Sequence, residues 1–275
     1  MKLKKILLIY KKSLRSGLGH YNRMTYLNSH LKKYYKTKII DIKNLNINIL
    51  NKYDLIIFDI NNYKIKKILN LNLKNKSITF DNFQNHLSKI NLSIYEHNPS
   101  IKGLRFSGLK FISIGKKFKK FKKYKKSLNQ NIFVSLGNND TKKYIPQIIK
   151  ILKKKKQFKI KIASKKDLIK NKIIFSSQKN YLKNFINSHI CIVNAGVTLT
   201  EALYMNKLCY VLPQSELEKK FAKYLLKKNY ILGVGINSLK KFNFKSKYKV
   251  YKNIKNLIDN KAHLRLSLII KKYYK

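Results

Sequence analysis

Short apolar runs alternate along this chain with stretches of helical spacing. Residues 5–10, KILLIY, form the first run, with lysines on both sides. It is too short for a signal-peptide core and reads as a first buried strand. Over residues 22–35 the apolar positions fall at Met24, Leu27, Leu31, Tyr34 and Tyr35, which share one helix face. Strands are expected at residues 38–42, 53–60 (YDLIIFDI), 77–81 (SITFD) and 110–114. The same logic returns in the second half. Residues 131–136 (NIFVSL), 158–163, 173–175, 189–194 (HICIVN) and 208–213 read as strands. Residues 144–152, 181–187 and 218–228 read as helices, and AGVTLTEALYMNK is a turn feeding another.

This alternation predicts an α/β protein with parallel sheets, in two halves of similar size and no sequence repeat between them. The segment GKKFKKFKKYKKS, residues 115–127, has neither strand nor core pattern. It divides the chain into an N-terminal domain at 1–115, a basic linker at 116–128 and a C-terminal domain at 129–275. Phe118, Phe121 and Tyr124 recur every three residues there, so a weakly amphipathic basic helix also fits. A solvated connector, a patch for an anionic membrane surface and a polynucleotide contact are its three readings.

The 275 residues are 44% hydrophobic, with 19 Tyr and 14 Phe, which is ample material for a core. No apolar run approaches the roughly 20 residues of a membrane span. Cys191 and Cys209 lack metal-ligand spacing, which excludes a disulfide scaffold and a cysteine-based zinc site. A reducing cytoplasm is the expected compartment, with peripheral contact at the inner membrane left open. Charge changes the picture more: 63 Lys+Arg against 11 Asp+Glu give a formal net charge of +52. All but Arg15, Arg23, Arg105 and Arg265 are lysine. Specific nucleic-acid readers lean on the arginine fork, so nucleic acid is not the expected partner. Lysine, asparagine and isoleucine all have A/T-rich codons, so drift of an A/T-rich genome is the bland reading of the lysines, one that does not fully explain the scarcity of acids; a functional basic field is the other. The field would draw polyanions, anionic membranes and phosphorylated substrates, less so in salt.

Three loops after predicted strands carry chemistry, since ligands of open parallel sheets bind outside the carboxyl ends of the strands. In SGLGHYNR, Gly17 and Gly19 permit a tight turn and close approach to a ligand. His20 then starts a helix, whose positive end disfavours a protonated imidazole and leaves it available as a general base. Arg23, one turn later, suits a phosphate or a carboxylate. The bland reading is a surface turn with a capping histidine. In NAGVTLTEA, Gly196 makes the turn, and the amides of Val197, Thr198 and Leu199 would be unpaired donors for a diphosphate. Glu201 can accept from a ribose diol. A helix merely capped by Thr198 fits the same residues. In SLGNND, Gly137 and Asn138 form either a second phosphate- or sugar-facing loop or an ordinary turn.

Taken in order, these motifs resemble the two-domain nucleotide-sugar proteins of the GT-B type. Within them the chain looks most like the UDP-sugar hydrolases of pseudaminic acid biosynthesis and their spore-coat-polysaccharide relatives. That family's GxGHxxR is matched by Gly17, Gly19, His20 and Arg23, and its strand ending in Asp by Asp59. Its FDD element is matched in part by Phe80, Asp81 and Asn82, its GxxYalxR segment by GLKFISIG, its vSLGGxD by VSLGNND and its aGGsTlxEal by NAGVTLTEAL. The chain departs from the pattern at Ile9 and Lys11, where the family has Arg and Asp, at Gly115 for an Arg, at Asn138 and Ala195 for glycines, and at Glu218 for a Gln of the last nucleotide loop.

The resemblance implies a GT-B-like α/β fold of two Rossmann-like domains whose parallel sheets face across a cleft. It implies a UDP-linked acetamido-deoxy sugar as substrate, with no cofactor and no metal. A nucleoside diphosphate is already a good leaving group, so the carboxylate pair of ordinary glycosidases is not required. One base for water suffices, and His20 is the candidate. Asp59 and Asp81 would position the sugar. Gly196, Val197, Thr198, Leu199, Glu201 and Glu218 would hold the nucleotide. A glycosyltransferase similar to the enzyme that adds N-acetylglucosamine in lipid II synthesis, a polyanion-binding protein and a homologue that binds without turnover remain as alternatives.

Overall fold

The computed structural model describes residues 4–11, 19–60, 76–80, 92–95, 105–115, 118, 131–137, 140–155, 157–164, 168–170, 173–243 and 258–273. The chain divides into two units, residues 1–116 with 258–275, and residues 117–257.

In the first unit, β1 (Lys5–Tyr10), β2 (Lys36–Asp41), β3 (Leu55–Asp59), β4 (Lys76–Phe80), β5 (Leu92–Tyr95) and β6 (Arg105–Ser107) form one sheet in the order β2-β1-β3-β4-β5-β6. Each neighbouring pair is parallel. The continuous apolar runs of β1 and β3 follow from this, because both faces of the sheet are covered. On one face Ile6, Leu8, Leu55, Ile57 and Ile78 pack with Met24, Leu27 and Leu31 of α1 (Gly19–Leu31). On the other, Leu7, Ile9, Ile56 and Phe58 pack with Leu50.

In the second unit the strands are β7 (Asn131–Ser135), β8 (Lys159–Ala163), β9 (Leu168–Lys170), β10 (Ile173–Ser176), β11 (Ile190–Val193), β12 (Leu208–Val211) and β13 (Gly233–Val234), ordered β13-β12-β11-β7-β8-β10-β9. All pairs are parallel except β9 with β10. Two residues separate those strands, too few for a crossover, so they can only pair antiparallel. The helices are α2 (Tyr144–Lys153), α3 (Gln178–Ile186), α4 (Val197–Tyr204), α5 (Glu216–Lys227) and α6 (Ile236–Lys241). Ile148 and Leu152 of α2 pack on Ile132, Val134, Ile160 and Ile192. Phe133, on a neighbouring position of β7, meets Phe185 and Tyr181 of α3 edge-on at 5.7 and 5.2 Å. Cys191 and Cys209 are free, buried and paired side by side in β11 and β12.

Three expectations change. Residues 110–114 are not a strand. Gly108, at φ 101°, turns the chain out of the sheet after β6, and a 3-10 turn at Leu109–Phe111 follows. The apolar residues there, Leu109, Phe111, Ile112 and Ile114, are buried without alternation, which is core contact rather than sheet pairing. Next, the second domain does not run to residue 275. The final helix, α7 (Ala262–Tyr273), belongs to the first unit and adds Leu266, Ile269 and Ile270 to its core. Arg265 fastens it, with a two-pronged pair to Asp259 at 2.7 and 2.5 Å and a bond to the Lys110 carbonyl at 2.9 Å. Last, the basic linker is not wholly solvated. Phe118 is buried and lies edge-on to Phe185 at 5.6 Å, within the second unit. The remainder of 116–128 lies outside the described residues.

Phe118→Ala should therefore destabilise the second unit by about 3 kcal/mol, the usual cost of truncating a buried phenylalanine. Urea unfolding followed by circular dichroism measures it. A shift no larger than that of the exposed Lys227→Ala would show that the ring is not held.

Candidate functional site

The order of the first sheet reverses at β1. The chain leaves β1 for β2 on one side and returns to β3 on the other. Beyond the carboxyl ends of two such strands a sheet of this kind leaves its ligand crevice. There α1 places His20 in its first turn and Arg23 three residues on, so both share a face. Asp59 closes β3 in register with Tyr10 of β1. The three side chains meet. His20 Nδ1 lies 2.7 Å from Asp59 Oδ1. Arg23 donates Nε to Oδ2 at 2.7 Å and its terminal nitrogen to Oδ1 at 2.5 Å. The guanidinium also lies over the Phe80 ring, 4.9 Å from its centre.

Asp59 is 1% exposed. Burial alone would raise its carboxyl, but the charges of Arg23 and His20 and their hydrogen bonds hold it below the usual carboxylate range. An ionised carboxylate only accepts, so the Nδ1 of His20 must carry the hydrogen it shares with Asp59. That fixes the tautomer. In the neutral ring the lone pair sits on Nε2, and the imidazole is 28% exposed. A base with a fixed ring, one open nitrogen and a buried anion behind it is the arrangement that proton abstraction requires.

The second sheet repeats the device. Its order reverses between β7 and β11, and the loops after these strands carry two of the sequence motifs. A Cβ on Gly137, at φ 80°, would stand 3.6 Å from the Asn194 amide. Asn194 donates to Glu218 Oε1 at 2.9 Å. Glu218 Oε2 accepts the backbone N–H of Gln214 at 2.7 Å and of Ala195 at 3.4 Å. Glu218 therefore clamps the loop after β11 to the loop after β12. Gln214 in turn accepts from Thr141 Oγ1 at 2.8 Å and from the Lys142 amide at 3.2 Å, which ties in the loop after β7. Helix α4 starts from Gly196 with no side-chain cap. The amides of Leu199 and Thr200 both point to the Gly196 carbonyl, so of the three expected donors only Val197 and Thr198 stand ahead of the helical ladder. Thr198 is not the cap.

Glu201 is buried. Behind it, the Tyr181 hydroxyl lies 3.2 Å from Thr198 Oγ1 and also bonds the Ser135 side chain. Burial, then the nearby Glu201 charge, pushes Tyr181 up to about 12, so its hydroxyl stays neutral. Tyr181 and Gln214 were not singled out from sequence. A tyrosine in the first turn of an amphipathic helix gives no signal, whereas Gln214 had one, its place just after a strand. Among the expected residues, His20, Arg23 and Asp59 come together, as do Gly137, Gly196 and Glu218 through Asn194. Asp59, expected to position the sugar, is buried against His20 and Arg23. Gly19 begins α1; Gly17, Asp81 and Asn138 lie outside the described residues.

Neither a protein-family model nor a curated protein sequence matches the chain. Solved structures do. A Streptomyces sp. SF2575 glycosyltransferase, SsfS6, complexed with thymidine diphosphate, superposes with a TM-score of 0.66 at 12% identity, over 98% of this chain and 99% of that one. MurG of Acinetobacter baumannii gives 0.67 at 11% identity, over 98% and 100%. A UDP-N-acetylglucosamine 2-epimerase assigned in Listeria monocytogenes gives 0.62 at 9%, over 99% and 97%. The chain has the GT-B fold. Within this GT-B chain, the departures from the resembled pattern have structural settings. Ile9 is a fully buried core residue of β1. A Cβ on Gly115 would meet the Tyr26 hydroxyl at 2.6 Å, so no arginine fits there while Tyr26 keeps its place.

Removing Arg23 reverses the pH dependence of stability. In the native chain the lowered Asp59 carboxyl contributes stability in full above about pH 4, lost as pH falls through the folded value. In Arg23→Ala burial prevails, the carboxyl rises, and stability falls as pH climbs through that raised value. The loss at pH 7 should be about 3 kcal/mol and shrink toward pH 5. Denaturant unfolding at both pH values checks it, and an equal loss at each would refute it.

Proposed function

We propose that this protein is a nucleotide-sugar enzyme that hydrolyses a UDP-linked acetamido-deoxy sugar, of the kind used for surface polysaccharides or nonulosonic acids of the pseudaminic type. The observation that carries this reading is the 2.7 Å contact between His20 Nδ1 and the buried Asp59 carboxylate. His20 Nε2 takes a proton from water as the oxygen attacks the anomeric carbon, and the bond from that carbon to the diphosphate breaks. UDP leaves with the bonding pair. Asp59 orients the ring and steadies the imidazolium that forms, and Arg23 keeps Asp59 ionised. The Val197 and Thr198 amides at the positive end of α4 take the diphosphate, and their field stabilises its growing charge. Gly137 stands in the loop after β7, close against Asn194. Glu201 receives the ribose diol, bonding it more strongly for being desolvated. Glu218 holds Asn194 and the two loops rather than the nucleotide itself. No metal or cofactor enters this reading.

The likeness to glycosyltransferases over nearly the whole of both chains favours a second reading, in which the same base deprotonates an acceptor hydroxyl. One assay separates the two. UDP release is measured without acceptor from UDP-linked N-acetylated and diacetamido deoxy-sugars. The wild type should release UDP, and His20→Ala should lower the rate by roughly a hundredfold or more. Asp59→Asn should fall comparably, because an amide no longer fixes the tautomer. Silence in the wild type with UDP-sugar binding intact would overturn the hydrolase reading and point to a transferase.

A further inference from the structure

Helix α7 has two faces of different use. Ala262, Leu266, Ile269 and Ile270 are buried in the first unit. The outward face carries Leu264, Leu268, Lys271 and Lys272, with Lys261 just ahead of the helix, all exposed. Leu268 is 65% exposed and Leu264, one turn back, 42%. The turn that ends α1 joins this face, since Lys271 Nζ lies over the Tyr34 ring at 5.3 Å and His30 meets His263 at 4.1 Å. That turn adds exposed Lys32, Lys33 and Tyr34. Acids are scarce there: residues 19–40 contain none, and residues 258–275 contain Asp259 alone, which Arg265 holds.

We propose that the outward face of α7, with the turn that ends α1, docks this protein on an anionic lipid bilayer. The chemistry is that of an interfacial helix: leucines at the centre enter the acyl boundary while lysines at both ends reach headgroup phosphates. Tyr34 has an apolar ring and a polar tip, which suits the headgroup level. The inner face already fixes the helix, so docking does not have to fold it. A second copy of the chain does not fit, because self-pairing sets lysine against lysine. A nucleic acid leaves the two leucines without a role. The surface differs from the basic linker considered above and does not depend on the proposed activity.

The chain has no tryptophan, so one introduced residue reports alone. Leu268→Trp is titrated with vesicles of phosphatidylcholine and phosphatidylglycerol at roughly three to one, and with phosphatidylcholine vesicles. The reference is Leu217→Trp on α5, a helix that has exposed Lys219, Lys220 and Lys223, at a leucine that is also largely solvated, 56% exposed. The emission of Leu268→Trp should shift to the blue on anionic vesicles only, and that of Leu217→Trp should not. Leu264→Ser with Leu268→Ser should weaken vesicle co-sedimentation by about tenfold or more, the loss of two inserted side chains. Leu217→Ser with Leu226→Ser should stay within about twofold, since overall charge is unchanged. An unshifted Leu268→Trp on bound vesicles, or equal shifts at both positions, would overturn the proposal. So would a shift that follows protein concentration without lipid, which would mark the face as a contact between copies.

Discussion

At the carboxyl end of β3 a carboxylate is taken out of water in a chain that has very few of them. Such a burial is unfavourable by several kcal/mol unless the charge is met by partners of good geometry. Two partners from one helix meet it. Arg23 closes both of its oxygens in a fork, and His20 takes the remaining approach on Oδ1. Because both come from α1, the pair also ties the first turns of α1 to the end of β3. The position of the candidate base, its tautomer and the entry of the first helix thus follow from one buried charge.

The second unit reaches a similar end by a different route. Its reversal point carries no buried ion pair with arginine; Glu218 gathers backbone and amide donors from two loops, and Gln214 draws in the third. Below them, Phe118, Phe185, Phe133 and Tyr181 form an aromatic layer under the strand ends. That layer holds up the start of α4, since Tyr181 bonds both Thr198 and Ser135. Such support fixes the first turn of α4, the terminus proposed to take the diphosphate.

Periodicity made the α/β class and most buried strands legible, because strands covered on both faces read as unbroken apolar runs. It failed where burial occurs without regular structure, as at residues 109–114, and where a helix packs back on an earlier unit, as α7 does. Sequence alone has no term for such a return. At the candidate site, residue type singled out His20, Arg23, Gly137 and Gly196, which the structure places beside Asp59 and Asn194. The role of Asp59 was not legible, since a strand-terminal acid looks the same whether it faces a ligand or a histidine. Only the register of β1 against β3 brings it within 2.7 Å of His20.

The two arginines whose side chains are described, Arg23 and Arg265, do the same job. Each grips one aspartate with two parallel prongs. Lysine, a single point charge, cannot reproduce that grip. An AGA arginine codon becomes a lysine codon through one G-to-A change, the direction in which this chain's composition leans. At each fork an arginine-to-lysine change would leave one aspartate oxygen without its donor, so in a chain whose cations are almost all lysine these two positions hold the residue that the pairing requires.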